Sequence, residues 1–479
     1  MVGIKTNPLT FALLIWIASA APAFGQTPDA WATYRGNAQR TASDGQPGPA
    51  TPKVLWTLKS KDHYIASPVP HGNRLYVSGL GAFNLGNFAC LSTEPNVKTR
   101  TLWSKTTPYL KLPTVSSPGI FKDYLIFGDG MHQTNGALLY CLEAKEGAPI
   151  WRHSVPGELV HLEGSPTILD GKAYIGGGAA GVLCIEIDRA TLAGKMHDLP
   201  ALQKIMAQGW KDLHAKYEIE KKTDPMFAMP PSEDQLPKAD PKRLWQQGKD
   251  KWHVDAPVTV IGDKLLAASS FLDKEQLGDR ALFCLDAKTG GIVWRAALKL
   301  NPWGGPSVLG DTVVVSGSSI GYDVTVLKGA KGFIAAYNLK DGSLKWHKDI
   351  TGGVVACAAL SGTSAVVTAT DGKVRAFDIA TGERQWLYDA KMPLFAPVAI
   401  AGPTVYAGDL KGVIHAIDLK SGLDLESWKL DLGSHKDVQA PGMIYGGTVI
   451  HGGRLYVATC NLQGPNAGKE TVVVCVGEK

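Results

Sequence analysis

The residue types that could do chemistry gather in the few positions before a recurring proline. The prolines stand in short phrases such as IASPV, EGSPT and VDAPV, whereas alanine, valine and glycine fill the segments between them. The positions before the prolines hold His63, Tyr64, His161, Glu163, Trp252, His253, Asp255, Asn301, Trp303, Asp437 and Gln439. Aromatic rings with a few carboxylates could hold a flat ligand or a hard cation. The alternative is a solvated rim whose polar groups satisfy turn amides.

A tryptophan repeat must position these residues. In the clearest copy, residues 281–294 (ALFCLDAKTGGIVW), a small residue, a large apolar residue and an acid precede a glycine turn, and a second strand ends in Trp294. Such tryptophans recur 40–52 residues apart, except for one gap of 94, at positions 56, 103, 151, 245, 294, 346, 386 and 428. This period predicts a β-propeller whose tryptophans pack between blades. The acids Asp286, Asp378, Asp418 and Glu143 are expected to cap their own turns.

Each repeat is predicted to form a blade of four antiparallel strands that opens with a proline phrase. Proline is tolerated there because the innermost strand has an unpaired edge. The phrases begin at residues 65, 115, 163, 254, 303, 394 and 438. Trp56 ends a strand that lacks three partners, and the last copy, residues 438–476, lacks its tryptophan strand. We therefore predict an all-β, eight-bladed propeller that the N-terminal strand, residues 54–59, closes. Residues 31–45 are expected to cross this closing blade.

The gap of 94 residues holds one insertion, placed at residues 191–243. Apolar residues recur at helical spacing over residues 199–222, and Asp198 stands where an N-cap is expected. A proline-rich stretch then returns the chain to Trp245. This pattern predicts a helix, which either covers a blade face or serves as a lid or a partner-docking element.

Composition and the N-terminus bound the class of protein. A net charge of +5 over 479 residues, without a dense run of Lys and Arg, argues against nucleic-acid binding. Residues 1–25 have the form of a signal peptide, with Lys5, a short apolar core and a small-x-small cleavage site at Ala23 and Gly25. We expect a monomeric propeller domain over residues 26–479, periplasmic or secreted, with no transmembrane segment.

The positions of the seven cysteines in the repeat argue against a set of disulfides. Five of them occupy the small position of the repeat, which alanine fills in other copies: Cys90, Cys141, Cys184, Cys284 and Cys475. Equivalent positions in adjacent blades should lie about 10 Å apart, beyond the reach of a disulfide. We expect these five to be buried packing residues, and a Cys357–Cys460 pairing stays open.

These residues resemble the repeat of the pyrroloquinoline quinone (PQQ)-type β-propellers. The family's repeat has the form small-x-D-x-x-T-G-x-x-x-W, and residues 376–386 match it from Ala376 through Asp378, Thr381 and Gly382 to Trp386. WATYRG at residues 31–36 looks like the W-x-x-[FY]-R-G lead-in of exported bacterial members. The resemblance covers about residues 30–479.

The resemblance implies one of two functional classes. Quinoprotein dehydrogenases hold PQQ and Ca²⁺ in the channel mouth and oxidise alcohols or sugars. Their propellers often carry a disulfide between adjacent cysteines beside the quinone, and this sequence has no adjacent cysteines. Members of the second class, such as the outer-membrane assembly-factor (BamB-type) propellers, have lost the cofactor and use the propeller as a binding surface.

Our leading hypothesis is a non-catalytic propeller of the cell envelope that binds a protein or a small ligand and needs no cofactor. The alternative is a divergent PQQ- and Ca²⁺-dependent alcohol or sugar dehydrogenase, and a weaker one is a polysaccharide-binding surface. In the dehydrogenase hypothesis, Glu163 and Asp255 are the candidates for catalytic base and metal ligand, and Trp252 or Trp303 lies against the quinone. The candidate ligand-binding residues at the channel mouth are Tyr64, His161, Trp252, His253, Trp303 and Gln439.

Overall fold

The computed structural model describes residues 31, 33–132 and 134–478. The predicted signal peptide, residues 1–25, lies outside them. The described residues form eight sheets of four antiparallel strands that follow one another along the chain, with a parallel fifth strand added to one of them. The prediction of an eight-bladed propeller is confirmed. Within this described part, no helix has both the length and the apolar character needed to cross a bilayer.

Blades 1 to 4 each run from an innermost strand at the channel to an outer tryptophan strand. The strands of blades 1 and 2 are Val69–His71, Arg74–Leu80, Gly86–Ser92 and Thr101–Lys105, then Gly119–Phe121, Tyr124–Gly128, Ala137–Glu143 and Pro149–Val155. Those of blades 3 and 4 are Thr167–Leu169, Lys172–Gly176, Val182–Glu186 and Arg243–Gln247, then Thr259–Ile261, Lys264–Leu272, Leu277–Asp286 and Ile292–Ala297.

Blades 5 to 8 follow the same plan, and the last one closes the ring. The strands of blades 5 and 6 are Pro306–Leu309, Thr312–Ser318, Lys331–Asn338 and Leu344–Thr351, then Ala359–Ser361, Ser364–Thr368, Lys373–Asp378 and Arg384–Asp389. Those of blades 7 and 8 are Ala399–Ala401, Thr404–Gly408, Val413–Asp418 and Asp424–Asp431, then Val449–His451, Arg454–Ala458, Thr471–Val476 and Val54–Ser60. The N-terminal strand Val54–Ser60 thus pairs with Thr471–Val476, as predicted.

The repeated tryptophans dock each blade on the next. The indole N–H of Trp346 donates to the carbonyl of Ile379 at 2.8 Å, in the glycine turn of the following blade. The equivalent bonds from Trp103, Trp245, Trp294 and Trp386 span 2.7–3.1 Å. Trp56 donates to Thr93 at 3.2 Å, in a turn without glycine, and Trp428 donates to Pro49 of the N-terminal segment at 2.7 Å. The indole lies on the turn itself, because a Cβ added at Gly382 would stand 2.5 Å from the Trp346 ring. Gly382 also has a φ of +71°, so the turn requires glycine for two reasons.

The acids of the repeat cap these turns, as predicted. A carboxylate oxygen of Asp378 accepts bonds from the backbone N–H groups of Ala380 and Thr381 at 3.0 and 2.9 Å. Asp286 accepts from the backbone N–H groups of Lys288 and Thr289, and Asp418 accepts from that of Ser421. Glu143 accepts from two turn amides at 2.8 and 2.6 Å. These acids serve the scaffold, so the function must be sought elsewhere.

The prediction of a helical insertion is confirmed. The insertion lies where the other blades have a glycine turn between their third and fourth strands. After a hairpin of Arg189–Leu192 and Lys195–Asp198 comes the helix Leu199–Thr223, followed by the short 3-10 helix Glu233–Gln235. The N–H of Ala201 donates to the Asp198 carboxylate at 2.8 Å, which caps the helix. Blade 3 has no glycine turn at this point, and Trp151 of blade 2 packs under Leu202 and Met206 instead. The first half of the helix covers a blade face, and the second half is largely exposed.

The N-terminal segment does not cross the closing blade, and that prediction was wrong. Its carbonyl groups accept backbone bonds from the innermost strands of blades 4 to 7, from Ala38 against Val260 to Ala42 against Ile400. The segment ends in the strand Ser43–Asp44, parallel to Ala399–Ala401. It therefore lines the channel, because the free edges of innermost strands offer unpaired N–H groups there.

The opening phrase of the last blade was also placed wrongly, at residues 438–442. The innermost strand begins seven residues later, at Val449, and follows Gly446, Gly447 and Thr448 rather than a proline. A Cβ at Gly446 would stand 2.6 Å from the carbonyl oxygen of Ala66. Glycine is required at this position because the neighbouring blade lies so close. The opening phrase of blade 8 therefore lacks the proline by which the other phrases were recognised.

All seven cysteines lie in the described part of the chain, and each is free and buried. The five repeat cysteines are buried packing residues in the third strands of their blades, as predicted. The open pairing of Cys357 with Cys460 is not a disulfide.

A pair of glycine variants tests the docking of tryptophan on the turn. Gly382→Ala and Gly362→Ala both place alanine at positive φ, but a Cβ at position 362 meets no atom within 4 Å. We expect Gly362→Ala to cost about 1 kcal/mol of unfolding free energy. Gly382→Ala should cost about 1–3 kcal/mol more, because the Trp346 ring must move. Urea unfolding measures both, and equal losses would contradict the docking contact.

Candidate functional site

The mouth of the channel is divided into an apolar half and a polar half. The residues that directly precede each innermost strand, here called the lead-in of that blade, lie at this end of the ring. The loops between second and third strands lie at the same end. In the apolar half, side chains from blades 1 and 5 to 8 form a mouth cluster: Ile65, Trp303, Val324, Leu327, Val355, Phe395, Leu410, Met443, Tyr445, Cys460 and Leu462. In the polar half, blades 2 to 4 bring together His132, His161, His253 and Asp255.

Two extended lead-ins supply most of the polar half. Successive side chains of extended backbone point to opposite sides, so residues two apart share a side. Val254 exchanges backbone bonds with Gly178 at 3.0 and 3.1 Å and is fully buried. His253 and Asp255 therefore face the other way, together. On the neighbouring lead-in Leu162 is buried in the same manner, and His161 and Glu163 share the opposite side.

A loop of blade 2 supplies His132. The loop follows the strand Tyr124–Gly128 and begins at Asp129, a fully buried carboxyl. Asp129 accepts bonds from the N–H of Leu138 at 2.6 Å and from the hydroxyl of Tyr140 at 2.7 Å. The carbonyl of Asp129 in turn accepts from the N–H of Leu162 at 2.9 Å. Asp129 thus fixes the loop of His132 against the lead-in that carries His161.

The donor atoms of this site converge. The ring centres of the three histidines lie 5.3–5.7 Å apart. Nε2 of His253 lies 3.0 Å and Nε2 of His161 lies 3.3 Å from the same Asp255 oxygen. On its other side, Nδ1 of His161 lies 3.3 Å from a Glu163 oxygen. One donor atom each from His132, His161, His253 and Asp255 fits within 4.8 Å of all the others.

Burial sets the charges of the site. Burial lowers the pKa of His161 to about 4, so this ring is neutral at physiological pH. Burial raises the pKa of Glu163, and the nearby Asp255 carboxylate raises it further. Burial alone would raise the pKa of Asp255 too, but the rings of His253 and His161 outweigh it and leave that pKa low. The site therefore offers the neutral imidazole of His161 beside the carboxylate of Asp255, whose pKa lies below its ordinary value.

This donor set suits a transition metal better than calcium. Imidazole nitrogen is a ligand for zinc, copper, iron and nickel, whereas Ca²⁺ takes six to eight oxygens. Three of the four converging groups are imidazoles. The residues therefore do not fit the Ca²⁺ that accompanies a quinone, and no quinone chemistry follows from them.

The other predicted site residues lie apart from this cluster. Trp252 is buried between blades and stacks on Phe283 with ring centres 3.9 Å apart. Tyr64 is buried in the core next to the closing blade. Trp303 packs in the mouth cluster, and Gln439 lies in an exposed turn before the lead-in of blade 8. Of the predicted set, the structure brings together His161, Glu163, His253 and Asp255.

Sequence reasoning missed His132, because it considered only the residues before each proline. The loops between second and third strands open at the same mouth, so a histidine in one of them belongs to the same search. The signal was the sequence GDGMHQTNG, a glycine-rich loop with a histidine directly after a strand.

The fold and its repeat define the class: an eight-bladed propeller of the PQQ type. A family model described as outer membrane protein assembly factor BamB matches residues 31–204, 235–331 and 321–476. The chain therefore belongs to this family. A comparison with curated proteins finds no match.

Solved structures of two kinds share the fold. BamB from Moraxella catarrhalis is 13% identical, with a TM-score of 0.57 over 88% of this chain and 99% of that one. A europium-containing methanol dehydrogenase is 13% identical, with a TM-score of 0.58 over 94% and 98%. The quinohemoprotein alcohol dehydrogenase from Comamonas testosteroni is 12% identical, with a TM-score of 0.61 over 95% and 82%. At this identity the likeness concerns the fold alone.

The pH dependence of stability tests the role of Asp129. Burial raises the pKa of Asp129 to about 6, so the folded state holds the proton more tightly than the unfolded chain does. This contribution is complete below the unfolded pKa of about 3.9 and is lost as the pH rises through 6. Asp129→Asn does not titrate. Its stability relative to wild type should rise by up to about 3 kcal/mol between pH 4 and pH 7. Urea unfolding at each pH measures the difference, and a constant difference would contradict the assignment.

Proposed function

We propose that this protein is an exported, monomeric binding module of the cell envelope, which binds a partner protein without quinone chemistry. The observation that carries the proposal is the filled apolar half of the channel mouth. In a quinoprotein this region must leave a slot for a flat tricyclic cofactor, as the family resemblance implies. Here the mouth cluster packs side chains of five blades against one another.

A loop of blade 5 completes the closure. Residues 319–330 join the second and third strands of the blade. The Tyr322 hydroxyl donates to the carbonyl of Val355 at 2.9 Å, and its ring meets Phe395 edge-on with centres 5.7 Å apart. Phe395 in turn meets Tyr445 at 5.3 Å. Val324 and Leu327 of the same loop pack on this cluster. A quinone could enter only after the loop and these rings had moved.

The channel is also filled from within by the N-terminal segment. The buried guanidinium of Arg40 donates to carbonyls of Val258 and Ser165 at 3.2 and 2.9 Å. The guanidinium of Arg35 donates to the carbonyl of Val398 at 2.5 Å. Both guanidinium groups thus already donate to backbone carbonyls inside the channel.

Protein binding is supported by the tip of the insertion. Around the end of the helix, four large apolar side chains are 66–87% exposed: Ile219, Met226, Phe227 and Met229. Exposed apolar groups gathered in one place are typical of interaction sites. The membership in a family described as an assembly factor agrees with a protein partner. The signal-peptide pattern of residues 1–25 supports a place in the envelope.

A titration tests the absence of quinone chemistry. Calorimetric titration of PQQ into the chain from Gln26, with and without Ca²⁺, should show no saturable binding at micromolar concentration, because the mouth is filled. A quinoprotein dehydrogenase titrated in parallel gives the positive control. Ca²⁺-dependent binding that is lost in Asp255→Ala and Glu163→Ala would instead establish the dehydrogenase hypothesis.

Site-specific photocrosslinking tests the protein partner. A photoreactive residue at position 227 should give one dominant adduct in the envelope of the source cells. The same residue at position 423, where Leu423 is 68% exposed in a turn of blade 7, should not give it. The purified partner should then bind the variant Met226→Ser/Phe227→Ser/Met229→Ser at least tenfold more weakly, with unchanged Tm. Identical adducts from both positions, or unaltered affinity, would contradict the proposed surface.

A further inference from the structure

We propose that His132, His161, His253 and Asp255 bind one divalent transition-metal ion, of which Zn²⁺ is the best suited, and that this ion joins blades 2, 3 and 4. The inference goes beyond the proposed function and does not rest on it. A metal-free protein could still bind its partner through the insertion, and a metal site could exist without a partner.

The spacing of the donor atoms matches a tetrahedral ion. With metal–ligand bonds of about 2.1 Å, two ligands of a tetrahedral Zn²⁺ stand about 3.4 Å apart. The two imidazole nitrogens of His253 and His161 stand 3.0 and 3.3 Å from the same Asp255 oxygen. His132 completes a set whose donor atoms all lie within 4.8 Å of one another.

Buried polar atoms without partners give an independent reason. His161 and His253 are fully buried, with 0% exposure. Among the described residues, neither ring nitrogen of either histidine has a hydrogen-bond partner, and neither does either carboxylate oxygen of Asp255. Buried polar groups in proteins are almost always satisfied. Several orphaned donor atoms that point at one another imply a bound species at their centre.

A network of hydrogen bonds without an ion accounts for the site less well. Asp255 would have to serve both Nε2 atoms through one oxygen, yet these close approaches do not have hydrogen-bond geometry. Nδ1 of His253 would still be unpaired, since nothing in the described part of the chain accepts from it. A cation at the centre would attract the ring nitrogens and the carboxylate oxygen at once.

Glu163 then acts as a positioning residue. Metal-binding histidines usually donate their other ring N–H to a carboxylate or a carbonyl, which fixes the ring and its tautomer. Nδ1 of His161 lies 3.3 Å from Glu163, on the side opposite to Asp255. Gly178 packs beneath this ring, because a Cβ there would stand 2.7 Å from Nε2. The approach of Nδ1 to Glu163 has no hydrogen-bond geometry in the metal-free arrangement, so we expect this bond to form as the ring turns Nε2 toward the centre, in the space that Gly178 leaves.

The number of ligands indicates a structural ion rather than a catalytic one. Four protein donors fill a tetrahedral shell, whereas catalytic zinc sites keep a position open for water. The ligands come from a loop of blade 2 and from the lead-ins of blades 3 and 4. An ion bound there would tie three neighbouring blades together at the rim of the channel.

Metal binding to the EDTA-treated chain tests the proposal. Calorimetry with ZnCl₂ should give one site of micromolar or lower Kd, CaCl₂ should give none, and Zn²⁺ should raise the Tm by about 5 °C or more. Four-coordinate binding should appear as strong visible absorption when Co²⁺ replaces Zn²⁺. His132→Gln, at the least buried ligand, should weaken Zn²⁺ binding at least tenfold. Glu163→Gln should weaken Zn²⁺ binding less than His132→Gln does, because it removes no ligand and only loosens the position of the His161 ring.

A surface pair provides the matched control. His347 faces Asp349 at 2.9 Å on blade 5, so His347→Gln removes a histidine beside an acid without touching the site. Its Zn²⁺ affinity should equal that of wild type. Absence of Zn²⁺ binding in the wild type, preference for Ca²⁺, or equal affinities of the His132→Gln and wild-type proteins would each overturn the proposal. Should His161→Gln or His253→Gln fail to fold, the His132→Gln result still decides.

Discussion

A tryptophan of one blade that lies on the glycine turn of the next is the contact on which this ring depends. Its indole N–H reaches the turn carbonyl, as Trp346 reaches Ile379, and its ring fills the space that a side chain at Gly382 would need. The contact joins burial of a large apolar surface to one hydrogen bond and one backbone requirement. The ring of a tryptophan lies on a turn glycine in this way at five of the eight blade junctions. Trp151 has no such turn to lie on and packs under the insertion helix, and Trp428 bonds to the N-terminal segment at Pro49.

Because the scaffold is stabilised by the repeat, the channel mouth is free to differ from that of other propellers. Each innermost strand needs only about three residues of pairing, and the residues before it can change without loss of the blade. Here that freedom has produced two unlike halves. Phe395 and Tyr445 pack in a closed apolar half, whereas His161 and His253 face one another in a polar half. The same fold therefore supports cofactor chemistry in one relative and protein assembly in another, and fold likeness does not decide between them.

How much the sequence could predict follows from how far each feature reaches along the chain. The blade count and the insertion helix depend on local periodicity and were predicted. The closing strand was predicted from the count, because the first copy of the repeat has one strand too many and the last has one too few. The path of the N-terminal segment depends on the free edges of strands more than 200 residues away, such as that of Val260 against Ala38, and could not be. His132 escaped for a related reason. Its loop reaches the site only because Asp129 holds it to the lead-in of His161, a contact that no local pattern announces.

The polar half of the channel mouth differs from the rest of the interior because it holds imidazoles and a carboxylate without hydrogen-bond partners among the described residues. A buried imidazole or carboxylate without a partner costs about 1–3 kcal/mol, and evolution removes such groups from a core unless something compensates. The mouth cluster beside it avoids this cost, because the lead-ins of blades 6 to 8 carry Val355, Phe395 and Tyr445 at comparable places. The lead-ins of blades 3 and 4 could have been filled in the same way, but they keep His161, His253 and Asp255 together inside the protein instead. An ion bound in their midst, as we propose, would turn this cost into attraction. The two halves would then perform the same task by different means, since each would tie the lead-ins of neighbouring blades across the mouth of the channel.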